Sequence, residues 1–302
     1  MGHDGMGPDG SGPALGGPEG SAQEGVALRR LRAADLPAAQ ALSASFGWPH
    51  RLEDWAFMRG LGEGIAAEAD GALIGTAMGW RYGREGGAIG MIAVAAAHQG
   101  RGIGRRMVGA LIGRLGTRRL ELHATEAGAP LYRSLGFAPA GRIRQHQGAA
   151  FAAGLLALPA GARLRPIGRS DPAVLLARDR AASGMDRGRV LRAMLPGAFG
   201  MVLDQGGVAA GFALMRRFGR GHVIGPVVAA DAPAGRALIG HFLAANPGQL
   251  MRIDVPEESG LSPWLEALGL AEAGTALRML RGAPARPSGP DRGFALISQA
   301  FG

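Results

Sequence analysis

The spacing of apolar positions changes along the chain and marks out alternating strands and helices. Val26 to Arg32 reads as a strand. Asp35-Leu36-Pro37 opens a helix with a capping Asp and an early Pro, and that helix runs to Gly47. A second helix, Leu52 to Gly60, carries Leu52, Trp55, Ala56 and Met58. Two strands follow around Ile65 and Leu73, joined by Asp70-Gly71, a strong hairpin signal. Ala88 to Val94 is a buried-strand run. Beyond a polar, glycine-rich break, Ile103, Met107, Ala110, Leu111 and Leu115 fall at helical spacing. Leu120 to Leu122 is a short strand, Pro130 to Leu135 a helix stopped by Gly136, and Phe137 to Phe151 holds the last strands of the unit.

The second half echoes the first. Gly71-Ala-Leu-Ile-Gly75 resembles Gly207-Val-Ala-Ala-Gly211, Val94-Ala-Ala96 matches Val228-Ala-Ala230, and Leu135-Gly136-Phe137 resembles Leu268-Gly269-Leu270. The three matches come in the same order at nearly constant offset, which argues for a duplicated fold. Leu156 to Arg169, with two prolines and two glycines, reads as a linker between the copies. The expected organisation is a disordered tail at 1–25, which lacks the apolar residues to offset ordering entropy, then units at 26–155 and 156–302.

Composition narrows the class. Of 302 residues 47% are hydrophobic, enough for a sizeable core. There is no Cys, so a disulfide scaffold, a thiolate metal site and a cysteine nucleophile are excluded. The net charge is +9, and every basic side chain apart from His is Arg, the better residue for gripping phosphate. No Arg-rich block occurs and aromatics are only 5%, which speaks against nucleic acid as a partner. The apolar stretch Ala149 to Ala160, broken by Gly154 and Pro159, is too short to span a bilayer. The first 25 residues have no apolar core of a signal peptide. A soluble cytoplasmic protein without membrane attachment is expected.

Ile92 to Val108 carries the chemistry. A strand ends near Val94, a loop crosses, and a helix opens near Gly102. The first turn of a helix has unpaired amides and the positive end of the macrodipole, a site for anions. Gly100, Gly102 and Gly104 let backbone approach a pyrophosphate, Gln99 and Arg101 can add donors, and Arg105 and Arg106 add charge. The spacing fits neither the dinucleotide fingerprint nor a Walker loop. A glycine-rich turn packed on a sheet remains open on this stretch alone.

Gln99-Gly-Arg-Gly102-Ile-Gly104 resembles the Q/R-x-x-G-x-G/A motif of the GNAT superfamily of acyl-CoA-dependent N-acyltransferases. Downstream, Leu122-His-Ala-Thr125 and Leu131-Tyr-Arg-Ser-Leu-Gly-Phe137 resemble that family's fifth strand and its LY-x-x-x-GF helix end. The resemblance covers about Val26 to Phe151, and the second half resembles a degenerate copy. It implies an α/β (α+β) fold of two tandem domains, each a mixed, mostly antiparallel sheet flanked by helices and splayed between its fourth and fifth strands. It implies acetyl-CoA as donor, with pantetheine along Ile92, Ala93 and Val94 and pyrophosphate on the amides of Gln99, Gly100, Arg101, Gly102, Ile103, Gly104 and Arg105. Thr125 and Tyr132 complete the carrier's contacts.

The implied reaction moves an acetyl group to a small-molecule or protein amine, with Tyr132 as general acid for the leaving thiolate. No carboxylate stands at Met91, Ile92 or Ala93 to serve as base. Glu121 and His123 on the fifth strand are the candidates, expected on opposite sides of the sheet. Trp48, Asp54 and Trp55 fall where the family recognises its acceptor, with Trp55 better read as core. His98, His123 and His146 lack ligand spacing or a carboxylate pair nearby, so no metal is expected. In the second half Pro233, Arg236 and Leu238 stand at the positions of Gln99, Gly102 and Gly104, and Leu265 at that of Tyr132. That copy should not bind CoA. Covering the cleft, forming a homodimer or stabilising the first half are the roles open to it. The alternative for the whole chain is a non-catalytic acyl-CoA sensor.

Overall fold

The computed structural model describes residues 25–116, 118–149, 157–158 and 160–302. Apart from Gly25, the expected disordered tail lies outside them. The first half runs β1 (Ala27–Arg30), α1 (Leu36–Ala44), α2 (Leu52–Leu61), β2 (Glu63–Ala69), β3 (Ala72–Tyr82), β4 (Gly86–Val94), α3 (Ile103–Leu115), β5 (Arg119–Ala124), α4 (Ala129–Arg133) and β6 (Ala138–Ala149). The second runs β7 (Ala162–Pro166), α5 (Pro172–Ser183), α6 (Gly188–Met194), β8 (Ala198–Gln205), β9 (Val208–Phe218), β10 (Gly221–Ala229), α7 (Ala232–Ala245), β11 (Leu250–Pro256), α8 (Ser262–Ala267), β12 (Ala271–Arg281) and β13 (Arg292–Ala295).

Local signals explain most elements. Asp70 and Gly71 take φ of 50° and 74°, the pair of positive values that a two-residue hairpin turn requires. Asp35 departs from its expected role. Its carboxylate accepts from the Arg32 amide (2.6 Å) and pairs with Arg29 (2.7 Å), and makes no cap bond to α1. The stretch expected to be a linker contains β7, paired with β8 along its whole length. Proline and glycine flank this edge strand and hide a run of only five residues.

The duplication extends to ion pairs. Arg29 holds Asp35 and Glu68, and Arg165 holds Asp171 and Asp204 in the same manner. Arg32 and Gly168 donate backbone amides to the corresponding aspartates, each at 2.6 Å.

All strands join one sheet in the order β1-β2-β3-β4-β5-β12-β6-β11-β10-β9-β8-β7, with β13 added on β10. The halves exchange their last strands. β12 of the second half pairs with β5, Leu277 opposite Ala124, while β6 of the first half pairs with β11, Ile253 opposite His146. Phe137 to Phe151 thus yields one long strand among its described residues rather than several.

Three cores result. α3 packs on one face of β2–β5 through Met107, Val108, Leu111 and Leu115. α7 packs likewise on β9–β11 through Leu238, Ile239, Phe242 and Leu243. The third core joins α1, α2, α5 and α6 over the opposite faces and takes in Ile297, Ala300 and Phe301. No helix among the described residues is long and apolar enough to cross a membrane.

Candidate functional site

β4 and β5 run parallel and pair only from Gly86 to Ala88 against Arg119 to Glu121. Beyond that they diverge, leaving one edge of Ile92, Ala93 and Val94 without a strand partner. Met91 takes φ 53°, rare for a side chain of this size, and Thr76 holds its carbonyl at 2.9 Å. Backbone in such sparsely populated conformations concentrates at functional sites. The register with β3 shifts at this bulge.

The loop after Val94 leads into α3. Gly102 sits at its N-terminus with φ 71°, and no side chain caps it. The helix makes its first backbone bond from Arg106 N to Gly102 O (3.1 Å), so the amides of Ile103, Gly104 and Arg105 precede the ladder. A Cβ on Gly104 would stand 3.3 Å from Leu131, so glycine keeps this turn open. These features suit a diphosphate. The side chains are less free than the amides. Gln99 Nε2 folds back to the Val94 carbonyl (2.9 Å), Arg101 meets His98 Nδ1 (3.3 Å), and Arg105 donates to Ser134 Oγ (2.7 Å).

α4 places Leu131 against this turn, and the next residue, Tyr132, is buried beside Phe137. Burial pushes its hydroxyl up to about 12, so it keeps its proton at neutral pH. Thr125 Oγ1 accepts from Gly128 N (3.2 Å), which closes the turn into α4.

Glu121 and His123 correct the sequence reading. Residues two apart on a strand share a face, and His123 Nε2 stands 3.4 Å from Glu121 Oε1. Arg278 of β12 grips Glu121 with two bonds of 2.9 Å. Burial raises the Glu121 pKa, but His123 and Arg278 outweigh it and hold the carboxyl well below its usual range. His123 Nδ1 donates to the Gln299 carbonyl (2.8 Å). Glu121 is committed to Arg278, whereas His123 Nε2 is buried with no hydrogen-bond partner among the described residues. No pattern in the sequence pointed to Arg278 or Gln299, whose pairing depends on the strand exchange.

The corresponding gap in the second half is filled. β10 and β11 pair at His222 to Ile224 and then diverge. β13 lies in that opening, paired with β10 from Val227 to Ala229 and bonded to β11 through Leu296 N to Asp254 O (2.9 Å). The Phe294 ring rests 3.0 Å from where a Cβ on Gly235 would stand, against the first turn of α7. That turn is capped by its own carboxylate, Asp231 accepting from Ala234 N at 2.9 Å. Strand edge, helix end and loop are all spent internally. The apolar run Phe294 to Ile297 docks on this half, its first two residues as part of a strand.

The expected recognition residues divide. Trp55 is fully buried and donates to Ser43 Oγ (3.2 Å), a core role. Asp54 accepts from the Arg51 amide and from Gly219 N of the second half (3.2 Å). Trp48 is half-buried between Phe46 and His50. His146 does have carboxylates near it, Glu266 and Glu272, with ligand atoms within 4.8 Å of one another. Its Nδ1 donates to Leu270 O, its Nε2 lies 3.0 Å from Ser262 Oγ, and Arg144 holds Glu272.

Residues 61–139 and 175–295 each match a family model described as an acetyltransferase (GNAT) domain. The chain is 31% identical over 173 residues to the Bacillus subtilis protein YitH, described as an uncharacterized N-acetyltransferase; the match spans 56% of this chain and 60% of that one. A Pyrococcus horikoshii protein described as an acetyltransferase superposes with a TM-score of 0.78 at 21% identity, covering 96% of this chain and 100% of that one. A tandem GNAT protein from the clavulanic acid biosynthesis pathway superposes with a TM-score of 0.63 at 16% identity, over 87% and 100% of the two chains. The chain belongs to the GNAT acetyltransferase family and carries two such domains in tandem.

Proposed function

We propose that the first half transfers an acetyl group from acetyl-CoA to an amine, and that the second half holds no donor. The observation that carries this reading is the contrast between the two gaps. β4 and β5 diverge beside an uncapped helix turn, whereas the matching gap is plugged by β13 and its helix turn is capped by Asp231. Acetyl-CoA supplies an activated thioester. The amine nitrogen attacks its carbonyl carbon, the N–C bond forms and the C–S bond breaks. The amine gives up one proton and sulfur gains one. Tyr132 holds a proton at Oη for the departing thiolate. Glu121 is tied up in its ion pair with Arg278, and the His123 side chain is buried with Nδ1 spent on the Gln299 carbonyl, so we assign that step to water.

Tyr132→Phe should lower kcat about a hundredfold or more while leaving the Kd for acetyl-CoA unchanged, measured by thiol release and calorimetry. Unchanged kcat would remove Tyr132 from the reaction. With water as base, kcat/KM should climb with pH in step with the fraction of free amine. A plateau near pH 7 would instead reveal a protein base.

The burial of Glu121 and His123 also favours a second reading, a non-catalytic acyl-CoA sensor. Binding of acetyl-CoA without thiol release across a broad amine panel would select it.

A further inference from the structure

A cavity of about 250 Å³ opens between the halves. Gly47 and Pro49, from the connection between α1 and α2, form one wall. Gln145 and Gln147 of β6 line it from the exchanged strand, and Phe218, Arg220, His222 and Arg252 come from the second half. The contact is fixed. Gly219 N donates to Asp54, and a Cβ on Gly219 would stand 2.9 Å from Pro49 O. The β9–β10 turn therefore sits directly on the α1–α2 connection.

The cavity adjoins the divergence of β4 and β5. Gln145 Oε1 accepts from Gln299 Nε2 (3.4 Å), and the Gln299 carbonyl accepts from His123 on β5. Ala300, the next residue, touches Gly90 on β4. Gln299 and Ala300 thus link the cavity lining to the strands that diverge.

Its charge is one-sided. The two nearby carboxylates are already bonded: Asp54 to Arg51 and Gly219, Asp254 to Arg252. Arg252 spends Nε and Nη2 on Asp254, which fixes the guanidinium and leaves Nη1 without a hydrogen bond among the described residues. Arg220 is exposed and forms no ion pair among the described residues. Behind the lining, Arg216 stacks 5.1 Å over Phe218 with a buried Nε that has no partner among the described residues, and Arg252 lies 5.4 Å from the same ring. Burial and the neighbouring Arg252 lower His50 to about 4, so it adds no charge at neutral pH but reports the positive field. Arginines held ready, with their counter-anions used up, match a ligand that brings its own negative charge.

We propose that this cavity holds the acceptor by an anionic group, so that the amine acetylated by the first half is a small molecule bearing a carboxylate or phosphate. The proposal rests on the acetyltransferase reading above. Specificity then comes from Arg220 and Arg252, which the second half supplies across the interface, and Gln145 and Gln147 serve the polar body of the molecule.

The test compares charged and neutralised acceptors on the full chain. Glutamate and aspartate are set against their methyl esters, and phosphoethanolamine against ethanolamine, with spermidine as a cationic amine. Thiol release and calorimetry on the CoA-loaded protein are the readouts. Anionic members should bind and react at least tenfold better than their neutral partners, and the carboxylate and phosphate series show which anion is preferred. Arg220→Glu should raise KM for the preferred anion at least tenfold with the Kd for acetyl-CoA unchanged. Arg252→Gln should do the same, and Arg220→Glu covers the case in which leaving the buried Asp254 unpaired destabilises that variant. Preference for ethanolamine, the esters or spermidine, or no binding of any anion at millimolar concentration, overturns the proposal. Loss of acetyl-CoA binding in the wild-type chain would instead sink the acetyltransferase reading itself.

Discussion

Gly104→Glu should weaken acyl-CoA binding by at least about a hundredfold, or ~2.7 kcal/mol. The position lies in the first turn of α3, where Ile103, Gly104 and Arg105 offer amides ahead of the helical ladder. A carboxylate there fills the anion position and repels a diphosphate. Gly104→Ala separates bulk from charge. Its Cβ needs Leu131, at 3.3 Å, to shift by only a few tenths of an ångström, and its binding should fall far less. The matched control is Pro233→Glu in the first turn of α7, an exposed position. Binding should be unaffected, since β13 and Asp231 already occupy that slot. Gly235 is not a usable control, because a side chain there would strike the Phe294 ring. Calorimetry on the three variants decides the matter, and equal loss at positions 104 and 233 would mean that the donor half has been misassigned.

Arg278→Ala should destabilise the fold by about 3 kcal/mol, near the lower end for breaking a buried pair because Arg278 keeps some solvent contact. It strands Glu121, which is only 6% exposed. The pH dependence carries the sign. In the wild type the Glu121 pKa is depressed on folding, so its contribution is complete above the unfolded value of about 4.3 and is lost as pH falls toward the folded value. Without Arg278, only His123 is left to offset burial, and that acid-sensitive contribution should shrink. Urea unfolding of both proteins at pH 7 and pH 4 measures it. An equal gap between them at the two pH values would show that Arg278 acts through packing rather than through Glu121.

What was legible in the sequence was local. Asp70-Gly71 announced its hairpin, the 3.6-residue spacing announced α3, and the glycines after Val94 marked an uncapped helix start. The duplication was legible in three short matches, and the stronger signal went unread: Arg29, Asp35 and Glu68 recur as Arg165, Asp171 and Asp204 at one constant offset. What escaped depended on distant chain. Nothing near Glu121 reveals that Arg278 will lie beside it, because strand pairing over such separations leaves no local period. The placing of Glu121 and His123 on opposite faces was a misreading of strand alternation, not a limit of the sequence. β7 was missed because five residues between proline and glycine resemble a linker as much as an edge strand.

The exchange of β6 and β12 has a consequence for how the chain acquires its structure. β5 emerges from the ribosome about 150 residues before the strand that flanks it, so its edge stays unsatisfied until β12 has been made. Neither half can close its own sheet, and the gene's two repeats are therefore not two independently evolving modules. Each supplies the other's missing wall, which ties the copy with the plugged gap to the one with the open gap and gives selection a reason to retain both.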